Sequence, residues 1–276
     1  MEKFQLAVLF KIIGIGSASG LVYHENKLYL ISDNSTFLFE YSFISNKVTK
    51  IPLLDNAEEN IRKKDKPDFE SITLSNDNLI LLGSGSKTNR NSIITYNLKT
   101  NNINIKSIGL VYSSIKSQHG IKDDTLNIEG LIQKDTQRFL FQRGNGQAKK
   151  NGIFCYDETH ENPKIHFTPI DLPKIKNIPS TFTDSILVDQ TIYFLASAES
   201  SKSTYEDGEI LGSFIGTIDL KSKKLLQTIQ ISDKHKFEGL TLYKKTATQI
   251  VFLLCEDNDS ELLVSEIYQL ELKINN

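Results

Sequence analysis

One short phrase recurs five times along the chain, and no other property of the sequence limits the fold so severely. It reads SASGLVY at 17–23, FESITL at 69–74, IEGLIQ at 128–133, TDSILV at 183–188 and FEGLTLY at 237–243. The small residues Gly20, Ser71, Gly130, Ser185 and Gly239 mark its phase at intervals of 51 to 59 residues, so five units fill all 276 positions. A second apolar run follows each phrase (KLYLISDN, LILLGSGS, RFLFQRGN, TIYFLASAE, IVFLLCEDN), and then a third (FLFEYSF, SIITYNL, GIFCYD, SFIGTIDL, SEIYQLEL). Outer fourth strands are read in KVTKIPLL, NINIKSIG, KIHFTPIDL and LLQTIQI, and the fifth unit lacks one. With only seven Ala and abundant Ile, Leu, Val, Thr, Tyr and Phe, the composition favours strands over long helices. Residues 1–276 are therefore expected to form one all-β domain, a five-bladed β-propeller of four-stranded blades. Trp is absent and neither WD nor kelch signatures occur, so those propeller families do not apply.

The N-terminus, MEKFQLAVLFKIIGIGSASG, has the charged start, apolar stretch and small residues of a secretory signal. Lys11 interrupts it, however, and Phe4, Leu6, Val8 and Phe10 alternate as in a half-buried strand. FQLAVLFKI is thus expected to supply the missing outer strand of the last blade. Thirty-two basic side chains against 34 acidic ones exclude the basic excess of a nucleic-acid binder, and no apolar run reaches the roughly 20 residues of a membrane helix. Cys155 and Cys255, 100 positions apart in strand-like runs, read as free thiols of a cytoplasmic protein. In that compartment the sequons at Asn34 and Asn258 have no meaning. The propeller is expected to act as a monomer.

In a propeller, the start of each first strand and the end of each second strand meet at one mouth of the central channel. Directly before the phase-marking residue stand Ser19, Glu70, Glu129, Asp184 and Glu238. Carboxylates gathered in a partly desolvated channel repel, so they must protonate, find cations among the side chains or hold a metal ion. An all-oxygen set suits Ca²⁺, which accepts 6 to 8 oxygens in loose geometry. The competing reading makes each of these residues a cap on backbone groups of the neighbouring blade.

At these residues the sequence resembles the soluble calcium-activated apyrases, and it is similar also to bacterial phytase-like propellers and to other propellers with the EGL phrase. The apyrase resemblance implies a five-bladed propeller that hydrolyses nucleoside diphosphates around a central calcium held by Ser and Glu at the start of each innermost strand. Ser19, Glu70, Glu129 and Glu238 match that pattern in type and order, whereas Asp184 stands where the family has Ser. The resemblance extends to Asp33 and Arg143.

The ends of the second strands offer Asp33, Ser84, Arg143, Asn145, Glu199 and Glu256. One side of the mouth is basic (Lys87, Arg90, Arg143, Lys149, Lys150) and the other acidic (Glu199, Glu206, Asp207, Glu209, Glu256, Asp257, Asp259). A small anionic ligand is expected to contact Arg143, Asn145, Ser84 and Glu256, with a phosphate bridging Ca²⁺ and the Arg143 fork. The alternative reading has Arg143 neutralise Glu129 and Glu70 across the channel, which would weaken both the metal and the ligand expectation. Two functions stay open: a structural calcium below a face that binds a ligand or protein partner, and a calcium-dependent phosphohydrolase with Asp33 or Glu199 as general base. GSGSKTNR at 83–90 lacks P-loop spacing, and the five histidines are too scattered for a zinc site or a triad.

Overall fold

A computed structural model of the protein describes residues 4–123, 125–144, 150–200, 208–256 and 263–274. Five antiparallel four-stranded sheets follow one another in chain order. Blade 1 contains Ala18–His24, Lys27–Ser32, Phe37–Ser42 and Lys47–Pro52. Blade 2 contains Phe69–Ser75, Asn78–Gly83, Ser92–Asn97 and Ile103–Ser107. Blade 3 contains Ile128–Lys134, Gln137–Gln142, Gly152–Asp157 and His166–Pro169. Blade 4 contains Thr181–Val188, Thr191–Ser200, Glu209–Asp219 and Leu225–Ser232. Blade 5 begins with Phe237–Lys245, Gln249–Glu256 and Val264–Lys273, and its outer strand is Phe4–Ile13. That strand runs antiparallel to Val264–Lys273, from Phe4 opposite Leu272 to Ile13 opposite Val264. The expected closure by the N-terminal strand is therefore observed, and the first strands touch in sequence around a closed ring.

Local chemistry explains these boundaries. The first hairpins of blades 1 to 4 turn within two residues, where Glu25, Asn26, Asn76, Asp135 and Asp189 adopt positive φ. Asn and Asp tolerate that region better than other side chains, and two-residue hairpins require it. Inner and second strands read as continuous apolar runs because both faces of every blade are covered. In KLYLIS, Tyr29 and Ile31 pack toward blade 2, whereas Leu28 and Leu30 pack toward blade 5. Among the described residues five apolar clusters result, one for each gap between adjacent blades.

Two further elements lie outside the blades. A short hairpin pairs Lys174–Ile175 with Ile178–Pro179, and helix α1, Gly109–His119, links blades 2 and 3. The helix buries Tyr112 and Ile115 and stops at Gly120 in the left-handed region. The Tyr112 hydroxyl donates to the Gly83 carbonyl at 2.6 Å, tying α1 to the end of a blade 2 strand.

The small residues of the repeat lie where inner strands approach most closely. A Cβ on Gly239 would sit 2.3 Å from Leu21 Cδ2 and 2.5 Å from Cys255 Sγ, and one on Gly130 would sit 2.7 Å from Ser185 Oγ. Gly239→Val should therefore destabilise the protein by about 1–3 kcal/mol or more through overpacking, read as a lower urea midpoint at unchanged m-value. An unchanged midpoint would mean that the inner strands can spread at no cost.

Candidate functional site

Each inner strand carries a one-residue β-bulge at the same phase, between Ala18 and Gly20, Phe69 and Ser71, Ile128 and Gly130, Phe182 and Asp184, and Phe237 and Gly239. A bulge leaves one residue out of the ladder and re-aims its side chain. The five bulged residues are Ser19, Glu70, Glu129, Thr183 and Glu238. Ser19, Glu70, Glu129 and Glu238 of the expected set thus share one bulged position, whereas in blade 4 Thr183 holds it and Asp184 occupies the position of Gly20, Ser71, Gly130 and Gly239. Asp184 turns instead to the backbone, accepting from Ser185 N and from Leu240 N of blade 5, both at 2.7 Å. Burial pushes its carboxyl well above the usual range, and these two N–H groups oppose the shift.

The two bulged hydroxyls act alike. Ser19 Oγ donates to the Phe69 carbonyl of blade 2 at 2.5 Å, and Thr183 Oγ1 donates to the Phe237 carbonyl of blade 5 at 2.7 Å. Each reaches the carbonyl of the residue just ahead of the next blade's bulge, and the capping of a neighbouring blade's N–H by a carboxylate, weighed above, is seen at Asp184, which accepts from Leu240 N.

The bulged glutamates sit in a denser environment than the repeat suggested, because cations reach them from other phases of the repeat. Glu129 accepts from Asn127 at 2.6 Å and from Arg143 at 3.2 Å. The other arm of Arg143 crosses to Glu199 of blade 4 at 2.7 Å, and Glu199 also accepts from Gly208 N at 2.6 Å. Lys236 pairs with Glu238 at 2.7 Å. Lys66 binds Asp33 and lies 2.9 Å from Asp68, which also pairs with Arg90 at 2.8 Å and accepts from Ser84 Oγ. Burial alone would pull Lys66 down, but Asp68 and Asp33 outweigh it and hold the ammonium above its ordinary value. Burial likewise raises the Asp68 carboxyl, and Lys66 and Arg90 reverse the balance and lower it.

Glu70 differs from its counterparts. It makes no ion pair among the described residues, and burial followed by repulsion from Glu129, Asp68 and Asp33 pushes its carboxyl well above the usual range. Oxygens of Asp33, Asp68 and Glu70 lie within 4.8 Å of one another, a spacing able to hold a metal ion. Among the described residues Lys66, Arg90, Arg143 and Lys236 pair with Asp33, Asp68, Glu129, Glu199 and Glu238, whereas Glu70 has no ion pair.

The sequence reading missed Asp68, although it stands two residues before Glu70 in the PDFE segment and takes φ +58° there. Lys66 and Lys236 were missed because they do not share the phase of the carboxylates they neutralise. Asp33, read as a general base, belongs to the acidic cluster. Ser84 serves Asp68, and Glu256 is engaged by His235 at 2.8 Å and by Tyr268 at 2.9 Å, so neither is presented with Arg143 as an open ligand contact. Asn145, Lys149, Glu206, Asp207, Asp257 and Asp259 lie outside the described residues. Both cysteines are free, Cys255 buried and Cys155 half-buried. Among the described residues no helix is long and apolar enough to cross a membrane.

Fold and mouth together define an all-β, five-bladed propeller whose axial opening carries an acidic cluster with metal-holding geometry. The chain belongs to the family of unknown function DUF6929, whose model matches residues 14–272. It is similar in structure to the glutaminyl cyclase of Myxococcus xanthus, with a TM-score of 0.57 and 10% identity over 98% of this chain and 97% of that one. Similarity to the major Malassezia sympodialis allergen Mala s 1 gives a TM-score of 0.53 at 10% identity over 100% and 97% of the two chains. For a thermostable family-43 glycoside hydrolase the values are 0.52 and 12% over 94% and 89%. At such identities the likeness shows the fold and carries no activity across. No curated protein matches the chain.

Arg143→Met should leave Glu129 and Glu199 buried without their shared cation and destabilise the protein by about 3–5 kcal/mol, measured by urea unfolding. Because Glu70 has a raised folded-state pKa, its contribution is present below its ordinary value of 4.5 and is lost as pH rises through the raised one. Glu70→Gln should accordingly be more stable than the wild type in EDTA at about pH 8. The gap should close toward pH 4.5. A variant less stable at both pH values would show that the Glu70 charge is already compensated.

Proposed function

We propose that the mouth of the propeller binds a divalent cation, and that the ion is calcium. The reading rests on one observation: oxygens of Asp33, Asp68 and Glu70 gather within 4.8 Å of one another, and Glu70 makes no ion pair among the described residues. Asp33, Asp68 and Glu70 supply oxygens within 4.8 Å of one another from blades 1 and 2, and Ser19, Glu129 and Glu238 stand at the phase of Glu70 in the other blades. No His or Cys enters the set, which favours a hard ion with a loose oxygen shell. The ion ties separate blades at one point and underlies a face that takes a small anionic ligand or a protein partner. The two free thiols support a cytoplasmic setting.

A binding role is better supported than calcium-dependent phosphohydrolysis. Both terminal nitrogens of Arg143 already face carboxylates, so its fork is not open to phosphate. Hydrolysis draws its support from the apyrase resemblance alone.

Calcium at about 100 times its dissociation constant adds ~2.7 kcal/mol of stability, a rise of roughly 5–10 °C in Tm for a domain of this size. The expected outcome is such a rise in the wild type, reversed by EDTA, and its loss in Glu70→Gln. A wild type that shows neither heat of calcium binding in calorimetry nor a thermal shift would end the proposal.

A further inference from the structure

Lys66 places its ammonium against two members of the cluster formed by Asp33, Asp68 and Glu70. It holds Oδ2 of Asp33 and lies 2.9 Å from Oδ1 of Asp68. The oxygens of the cluster gather within 4.8 Å of one another. Two oxygens bound to one calcium ion at roughly 2.4 Å can lie no further apart than about twice that distance, so the group is already drawn together to the span of a single ion. An ion that draws on both aspartates competes with the ammonium for the same carboxylates and, in so tight a group, for the same space.

The two cations bound to the cluster are not equally fixed. Arg90 meets Oδ2 of Asp68, Oγ of Ser86 and the Lys63 carbonyl, each at 2.8 Å, so its guanidinium is anchored on three sides. Among the described residues the Lys66 ammonium is held by Asp33 and Asp68 alone. The Lys66 backbone is pinned, with its N–H donating to the Arg62 carbonyl at 3.0 Å and its own carbonyl accepting from Asn89 Nδ2 at 3.1 Å. Only the flexible four-carbon side chain has to move, and an ammonium is readily hydrated once it reaches water. Water is close, because Arg62, Lys63, Lys64 and Asp65, immediately before it, are all exposed. Glu70, meanwhile, has no hydrogen bond or ion pair among the described residues while the ammonium is in place. A divalent ion in the position of Lys66 brings a second positive charge to that unanswered carboxylate.

We propose that Lys66 is a built-in competitor for the calcium site: its ammonium occupies the cluster when calcium is absent and swings out to solvent when the ion enters. The inference rests on the calcium reading above and adds the regulation of that site. Because the ammonium is tethered to the same chain, it competes at a fixed, high effective concentration. Calcium meets open carboxylates only in the fraction of molecules whose Lys66 is displaced, and its apparent affinity is reduced by that fraction. The site thereby fills at a higher calcium concentration than its oxygens alone would dictate.

The test is calorimetric titration of the full chain with calcium in about 0.2 M salt, where charges at a distance are screened. Wild type, Lys66→Met and Lys64→Met are compared, the last removing one charge from the same loop at an exposed position. Lys66→Met should bind calcium about tenfold more tightly than the wild type, or better. Lys64→Met should stay within about twofold. In parallel, reductive methylation of the wild type, read at Lys66 by mass spectrometry, should be slow in EDTA and faster at saturating calcium. A wild type that binds calcium, beside a Lys66→Met variant that binds no more tightly than Lys64→Met, overturns the competition and leaves the calcium reading standing. If neither wild type nor Lys66→Met binds the ion, both fall together. Binding by Lys66→Met alone supports the competition in its strongest form. If Lys66→Met does not fold, the labelling decides, and a Lys66 equally protected with and without saturating calcium sinks the idea.

Discussion

A four-stranded sheet of this length cannot bury both of its faces by itself, and that constraint governs everything else in the molecule. Each blade exposes two apolar surfaces, and each is covered only by the next blade in the ring. An open arc would leave the outer faces of its first and last blades in water, at roughly 25 cal/mol for every Å² of apolar area. The pairing of Phe4–Ile13 with Val264–Lys273 is therefore the contact that makes the other four gaps worth forming. It also places Phe10 and Ile12 in the gap between blades 5 and 1, while Phe4 and Leu6 pack into the gap between blades 4 and 5.

Closure in turn creates the electrostatic problem at the axis. Bringing five inner strands together at one phase concentrates their bulged side chains, and three of these are glutamates. The protein compensates most of the charge with its own cations, drawn from loops that do not obey the repeat: Lys66 from the link between blades 1 and 2, Arg143 from the end of a blade 3 strand, and Lys236 from the link between blades 4 and 5. Compensation stops short at Glu70, and any account of function starts from that residue.

Most of the architecture was legible because strands buried on both faces leave continuous apolar runs, bounded here by residues such as Asn76, Asp135 and Asp189 that tolerate a left-handed turn. Ring closure was legible from the alternation of Phe4, Leu6, Val8 and Phe10. Asp184 was assigned to the ring because the phase had been set by small residues, and in blade 4 Thr183, Asp184 and Ser185 are all small or polar. The bulge, a property of pairing rather than of composition, places Thr183 there instead. Helix α1 escaped notice because only Tyr112 and Ile115 of its residues are buried, too few to print a helical period among β-favouring neighbours. The ion pairs were hidden for a different reason: long side chains reach across phases, so comparing equivalent positions finds acids and overlooks the bases that meet them.

A sheet woven from both ends of the chain also bears on how the molecule is made. During synthesis Phe4–Ile13 emerges some 250 residues before its partner Val264–Lys273. Until then its half-apolar edge lacks a native neighbour, and such edges invite pairing with other chains. Blades 1 to 4 can assemble as they leave the ribosome, whereas the fifth must wait for Val264–Lys273, so closure of the ring joins two strands made far apart in time.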